Sequence, residues 1–538
     1  MQGRDGIVCY VSNNSFIDQT TFDGMRKHLL QDFTQIYHLD LHGNVRKNPK
    51  LSGTTHNVFG IQVGVGITIA IRTSSNSVKS LYYHRIPEYW NKTEKLRFLA
   101  KSSSILGIEW MEIKPDERHS WLVEGIRTEF AIFLPMGSKE ARSIHAVETN
   151  TIFKHYSLGV STNRDSVVYD FNHESLERNI KQHIEDYNAE VSRWVREGHI
   201  KDVDGFVNYD KVKWSEHLKG ELKRERYGKL NSKRIQKSLY RPFCQKWLYY
   251  DSLLVDRPAA FNKVFPDACS DCKNEVICLT DIAAEKPFMV IVVNVLPDMH
   301  VVGAGANAQT FPYYIYAEDG GNRRENITDW TLAQFRTQYN SELTKRDIFH
   351  YVYAMLHHPV YRERYAENLK RDLPHLPLLP QYEAFTTCVH IGKTLMELHL
   401  NYETAKEYNL KWIENKDASI NWHVEKMKLS SGKDSLKVNE WLTLTGIPQE
   451  CFQYRLGNRA ALEWVIDQYQ VSTDARSGIV SDPNQEDDEQ YIVRLVRKVV
   501  TVSVETVKLV KQLAQAVKQE DWLHEGVSVT SETIETPL

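Results

Sequence analysis

No stretch of this 538-residue chain approaches the roughly 18 consecutive apolar residues of a membrane span. The first residues also lack the basic-then-apolar pattern of a secretory leader. Seven cysteines, an odd number in so long a chain, do not look like a disulfide framework and favour a reducing compartment. These absences lead to the expectation of a cytoplasmic protein with no membrane partner. Familiar catalytic signatures are missing too. There is no HExxH, no GxxxxGK followed by Ser or Thr, no GxSxG and no clustered carboxylate pair. Gly64-x-Gly66 and Gly303-x-Gly305 lack the strand, glycine loop and helix of a nucleotide cradle. Cys269 and Cys272 stand near Cys278, with Cys244 as a distant fourth thiol. No second pair follows at zinc-ligand spacing, so a plain loop and no metal are expected. His357-His358 show no metal pattern and are expected to cap or pack where Pro359 interrupts a helix. No internal repeat is visible.

What is present is ordinary in bulk and uneven in detail. Hydrophobic residues make up 41% and charged residues 25%, which are globular values, and the length allows roughly three or four domains. The net charge of −3 hides a strongly basic block. Between 211 and 246, twelve Lys and Arg face three Glu, a local +9. Such a block suits a phosphate-facing surface or a solvated helix face. Residues 481–490 carry five acidic side chains and no basic one, which reads as a linker.

The pattern along the chain predicts an α/β beginning. Residues 6–14 form a β-branched apolar run ending in turn formers, 22–33 carry helical spacing, and 36–41 and 58–71 look like further strands. Strand, helix and strand with short links is the grammar of a parallel sheet. Residues 172–238 read as helical and polar, with Leu176, Ile180, Ile184 and Tyr187 in one apolar stripe. From 240 to 316 the texture is β-rich. Helices are predicted over 329–335, over 347–369 with a break at His358-Pro359, and over 382–402, 459–469 and 491–518. Residues 405–440 read as polar and loop-like.

Several segments together resemble the C-terminal half of an amino-type adenine DNA methyltransferase of the type ISP restriction-modification group. They are Asp5-Gly-Ile-Val-Cys-Tyr-Val-Ser-Asn-Asn-Ser-Phe16, Phe22-Asp-Gly-Met-Arg-Lys27, Leu39-Asp-Leu-His-Gly-Asn-Val-Arg-Lys47 and Asn57-Val-Phe-Gly-Ile-Gln-Val-Gly-Val-Gly-Ile67. Tyr240-Arg-Pro-Phe243, Tyr249-Tyr-Asp251, Phe311-Pro-Tyr-Tyr-Ile-Tyr316, 348–365, 454–464 and Asp482-Pro-Asn484 continue the match in order.

The resemblance implies a partial Rossmann-like methyltransferase sheet, then a mixed α+β target-recognition region and C-terminal helices. The implied domains are 1–170, the late catalytic portion; 171–239, a basic helical connector; 240–480, the recognition region; and 481–538, an acidic linker and amphipathic helix. It further implies double-stranded DNA as partner and methyl transfer from S-adenosylmethionine to the N6 amine of a flipped adenine. Phe59, Asn13 and Asn14 fall where a target-base pocket is expected. Arg26, Lys27, Arg46, Lys47, Lys223, Arg224, Arg226, Lys233, Arg234, Arg241 and Lys246 are the candidate DNA contacts. The family's glycine loop for the cofactor and its Asn/Asp-Pro-Pro-aromatic motif occur nowhere in the chain. The chain therefore resembles a methyltransferase that is truncated, split so that a separate polypeptide supplies the catalytic half, or encoded by an interrupted frame; the alternative is a DNA-binding specificity polypeptide or remnant without activity of its own. A carbohydrate- or protein-binding α/β protein is the remaining reading.

Overall fold

The computed structural model describes residues 5–44, 55–74, 78–123, 125–139, 141, 149–198, 202–266, 273–282, 284, 286–303, 305–317, 319–518 and 522. Arg46, Lys47, Cys269 and Cys272 lie outside the described residues. The fold is mixed α/β and divides into two compact units, Met1–Ile126 and Arg127–Leu538. Residues 127–170 therefore fold with the chain that follows them.

In the first unit, β1 (Gly6–Asn13), β2 (Gln35–Asp40), β3 (Val65–Arg72), β4 (Ser80–Arg85) and β5 (Met111–Glu112) form one sheet in the order β1-β3-β2-β4-β5. Helices α1 (Ser15–Asp18) and α2 (Asp23–Asp32) link β1 to β2, and α3 (Lys92–Ser102) follows β4. β3 runs antiparallel to both β1 and β2, whereas β2 and β4 are parallel. β1 and β2 thus point the same way, as strand–helix–strand implies, but β3 is inserted between them and the sheet is mixed. The run 58–71 does not begin as strand. Asn57 ties residues 57–63 into a loop, and pairing starts only at Val65. A reciprocal capping box between Asn91 and Glu94 opens α3 by satisfying two of its free N–H groups.

One face of this sheet is packed by Phe16, Ile17, Ile36, Ala70, Leu81 and Trp121. The opposite face is bare at its β1 edge. There Ile7 is 66% and Val11 50% exposed, opposite Ile71 and Ile67 of β3.

Two extensive cores organise the second unit. One four-stranded sheet joins Tyr169–Asp170, Ile235–Arg241, Cys244–Tyr249 and Leu296–Pro297; another joins Ser157–Leu158, Val276–Thr280, Val290–Val293 and Ala308–Pro312. Phe243 turns the first hairpin at φ 57° and is fully buried. It holds a left-handed conformation that a bulky residue rarely adopts.

Helices Lys345–His357, Tyr382–Leu400 and Tyr491–Ala516 are stitched to the second sheet by one hydrogen-bond relay. The Val292 N–H donates to the Tyr353 hydroxyl at 3.1 Å, and Tyr353 bonds His399 Nδ1 at 2.7 Å. His399 Nε2 meets Thr506 Oγ1 at 2.9 Å, and that hydroxyl donates to the Val502 carbonyl. With the threonine proton spent, His399 must donate from Nε2 and accept at Nδ1, which fixes the neutral tautomer. Burial holds its pKa well below the usual range, with nearby His357 adding to the effect. His358 caps the helix Pro359–Arg364 through its side chain.

Two sequence expectations change here. Residues 172–238 are not one helical tract: His173–Arg196 is helical, but shorter helices follow and a strand begins at Ile235. Residues 405–440 are not merely loop. Lys411–Glu414, Lys428–Leu429 and Ser435–Lys437 join Leu442–Thr445 in a four-stranded sheet. Lys411–Glu414 is an edge strand exposed along its length, so no buried face imposes alternation on its sequence. Among the described residues, no helix is long and apolar enough to cross a membrane.

Candidate functional site

At the carboxyl ends of β1 and β2, the region where α/β sites assemble, a buried polar cluster surrounds Asp40. Its carboxylate accepts the Asn14 amide, the His42 N–H at 2.8 Å, the Tyr83 hydroxyl at 2.8 Å and Arg85 Nε at 3.3 Å. Burial pushes this carboxyl up, but His42, the hydrogen bonds and Arg85 together hold it below the ordinary value. His38 lies beside it with a pKa lowered by burial to about 4, and its Nδ1 bonds Thr68 Oγ1 at 2.8 Å. His38 Nε2 and Asn14 Oδ1 press on the position that a Cβ at Gly66 would occupy. Only glycine fits at that point of β3.

Asn14 and the Phe59 loop are brought together. The Asn14 N–H donates to the Gly64 carbonyl at 3.0 Å. The loop is held from inside by Asn57, whose amide donates to the Val63 carbonyl while its oxygen accepts the Phe59 and Ile61 N–H groups. This leaves Phe59 58% exposed. Phe59 is therefore an aromatic presented on a loop, with no part in the core. Asn13 is used locally: its oxygen accepts the N–H and hydroxyl of Ser15 at 2.8 Å each. Sequence reasoning missed Lys95, which is buried and donates to the Leu41 and His56 carbonyls. No spacing rule marks a lysine whose partners are distant backbone oxygens.

Arg26 does not face DNA. It is 1% exposed, and its guanidinium donates to the carbonyls of Phe16, Gln19 and His119 at 2.7 Å each. It clamps three segments of the first unit, while its neighbour Lys27 is exposed.

Among the described residues, the four arginines of the basic block are all ion-paired, but of its eight lysines only Lys219 is. Arg224 and Arg226 share Glu221, Arg234 pairs with Asp251, and Lys219 pairs with Asp204 and Glu216. Arg241 is buried on Asp298 at 2.9 Å and over the Tyr240 ring at 3.9 Å, so it cannot reach phosphate. Lys246 lies over Phe171 and Tyr240 at 4.4 and 4.6 Å, and its pKa is lowered by burial. Lys223 and Lys233 are exposed, and their ammonium groups have no hydrogen-bond or ion-pair partner among the described residues. Of the candidate contacts in this unit, these two keep the most available charge.

Lys246 instead borders a polar cavity of about 490 Å³, and Arg241 holds Asp298, one of its lining residues. Its floor is a closed network that sequence spacing could not show, because the residues converge from positions up to 138 apart (162 and 300). Asp298 accepts Arg241 and the His300 N–H on Oδ1 and the Tyr169 hydroxyl on Oδ2. Tyr240 donates to Asp165 at 3.1 Å, and Thr162 donates to its other oxygen. Burial first, then the negative charge of Asp165, pushes Asp298 up to about 6, against the pull of Arg241.

The potential thiol ligands behave as apolar residues where they are described. Cys244 and Cys278 are fully buried in strands, and burial raises both thiol pKa values, that of Cys244 to about 11.

Residues 151–495 match the family model of the Type ISP C-terminal specificity domain. The chain belongs to that family. Three solved structures are similar to nearly the whole of this type ISP chain. One is a nuclease-deletion mutant of the Type ISP restriction-modification enzyme LlaGI in complex with a DNA substrate mimic, 32% identical over 94% of the present chain with a TM-score of 0.83. The others are the ATP-dependent Type ISP enzyme LlaBIII bound to DNA, 30% identical over 95%, and the DrdV–DNA complex, 33% identical over 95%, each with a TM-score of 0.83. The type ISP chain covers 46%, 33% and 50% of those three chains respectively, so it spans between a third and a half of their length. A search of curated proteins finds no match.

Proposed function

We infer that this chain is the DNA target-recognition portion of a type ISP restriction-modification enzyme whose complete form methylates adenine at N6. The observation that carries the reading is the specificity-domain match over 151–495, on a fold shared with three enzymes solved with DNA or a DNA mimic. Exposed Lys223 and Lys233 supply phosphate contacts that position the duplex without reading it. In this reading Phe59, exposed on a loop held by Asn57, stacks on an adenine extruded from the helix.

S-adenosylmethionine supplies the methyl group in this reading, but the residues described do not fit it. The cofactor's glycine loop is absent from the sequence, and the end of β1 is filled by Asn14, Asp40 and His38 packed around Gly66. The cofactor and the acceptors that polarise the amine belong to a catalytic portion outside these residues.

Duplex binding by fluorescence anisotropy across a salt series tests the recognition role, and calorimetry with S-adenosylmethionine tests the division of labour. DNA binding whose logarithm falls linearly with log salt, together with no heat of cofactor binding, is expected. No duplex binding at low salt would refute the recognition role, and tight cofactor binding by this chain would refute the division. In the complete enzyme, Phe59→Ala should lower adenine methylation while leaving the unfolding free energy within about 0.5 kcal/mol, as for an exposed residue.

A further inference from the structure

The outer wall of the 490 Å³ cavity is a short hairpin, Ser472–Thr473 paired antiparallel with Val480–Ser481. Asp474 shapes its turn with a single oxygen. Oδ1 accepts the N–H of Arg476 at 3.2 Å and both the N–H and hydroxyl of Ser477 at 2.8 Å. Gly478 closes the turn at φ 69°. The second oxygen, Oδ2, accepts no hydrogen bond among the described residues, yet Asp474 lines the cavity. Lys213 lines it too, and its ammonium has no hydrogen-bond or ion-pair partner among the described residues.

The other charged groups of the cavity are committed. Asp165 and Asp298 are saturated by hydroxyls, an N–H and Arg241, and Lys246 is spent on two aromatic faces. One carboxylate acceptor and one ammonium donor are left. The Ser477 and Arg476 hydrogen bonds, and then the charge of Lys213, hold the Asp474 carboxyl below its usual value, so it is ionised at neutral pH.

An ionised carboxylate is repelled by backbone phosphate and is tolerated against DNA where it accepts from an exocyclic amine. An ammonium donates to guanine O6 and N7, and a carboxylate accepts from cytosine N4, so the pair matches the major-groove edge of a G·C pair. A two-stranded ribbon is also one of the elements that this groove admits. We propose that the 472–481 hairpin reads one G·C pair of the target, with Asp474 accepting from cytosine and Lys213 donating to guanine. This assignment rests on the DNA-recognition reading above.

The test is selection of duplexes from a randomised library by the full chain, followed by sequencing. Asp474→Asn keeps an acceptor oxygen for the turn but turns the open oxygen into an amide donor. Its expected effect is a loss of C·G preference at one target position by roughly 10- to 100-fold, with the ranking elsewhere unchanged. Lys213→Gln, which leaves the hairpin untouched, should relax the same position. Duplex binding with unaltered ranking in both variants, or a uniform change across all sequences, overturns the hairpin assignment alone. Failure of the unsubstituted chain to bind any duplex at low salt overturns the recognition reading, and this proposal with it.

Discussion

Replacing Arg241 by Met probes the floor of the polar cavity through charge, because the methionine keeps much of the packing over Tyr240. Asp298 is 2% exposed and pushed up to about 6 from an ordinary 3.8. That shift of about two units already costs about 3 kcal/mol of stability at pH 7. Removing the cation leaves a buried carboxylate with neutral donors only, and it escapes that environment by taking up a proton. With the folded pKa at about 6 in the unsubstituted chain, holding Asp298 protonated at pH 7 costs one further pH unit, so Arg241→Met should destabilise the second unit by about 1.4 kcal/mol at pH 7 through this charge. The pH dependence has a defined sign. A carboxyl whose folded pKa exceeds its unfolded one carries its full penalty above the folded value. The penalty fades as pH falls toward 3.8. The variant's Asp298 titrates still higher, so most of the loss should disappear at pH 5. Asp298→Asn in the same background should restore much of the stability at pH 7. Urea unfolding of the single and double variants at both pH values measures each corner of the cycle. An equal loss at pH 5 and pH 7, or no rescue by Asp298→Asn, would refute the charge argument.

Arg26→Met should cost on the order of 3 kcal/mol in thermal or urea unfolding, because one buried and two part-buried carbonyls lose their donor, whereas Lys27→Ala should stay within about 0.5 kcal/mol. Substituting Lys223 and Lys233 together by Ala should reduce the salt slope of duplex binding by about 2, at roughly 0.9 per phosphate contact. Arg224→Ala, which removes only one of two cations on Glu221, should change that slope much less, and an anisotropy titration at four or more salt concentrations distinguishes them. His183 and His38, with folded pKa values of about 4, predict acid sensitivity. The unfolded chain takes up their protons near 6.5 and the folded chain does not, so stability is fully present above 6.5 and falls as pH drops. Between pH 7 and pH 5 the loss is about 2 kcal/mol for each such histidine, and a flat stability profile over that range would contradict their burial as neutral rings.

The periodic helices were legible because each buries one stripe: Leu176, Ile180, Ile184 and Tyr187 are all buried on His173–Arg196. The opening strands were legible as β-branched runs, but the insertion of β3 between β1 and β2 was not. Strand order depends on long-range pairing that leaves no local trace. The edge strand Lys411–Glu414 was read as loop for a related reason: exposed on both faces, it has no apolar face to betray it. Phe59 was singled out by resemblance and Asn14 by its place at the end of a strand; the hydrogen bond from the Asn14 N–H to the Gly64 carbonyl, which joins their loops in space, had no sequence signal. The cavity floor had no signal at all, since Asp165, Tyr240 and Asp298 are ordinary residues in separate segments until the sheet brings their ends together.

Charge density in a sequence overstates what a surface can offer to DNA. The +9 block looked uniformly available, yet the fold gives most of its arginines an acid or a ring before any partner arrives. The arginine chosen most naturally for phosphate, Arg241, is the one most deeply committed. What separates supporting groups from working ones is the hydrogen-bond capacity left after folding. Asp40 and Asp298, each saturated by three or four donors, can only hold their neighbours in place. Asp474 keeps one oxygen open, Lys213, Lys223 and Lys233 keep their protons, and Phe59 keeps its face. If the chain reads DNA, substitutions at these unspent groups should change binding without unfolding the protein. Substitutions at the saturated ones should unfold it before binding changes.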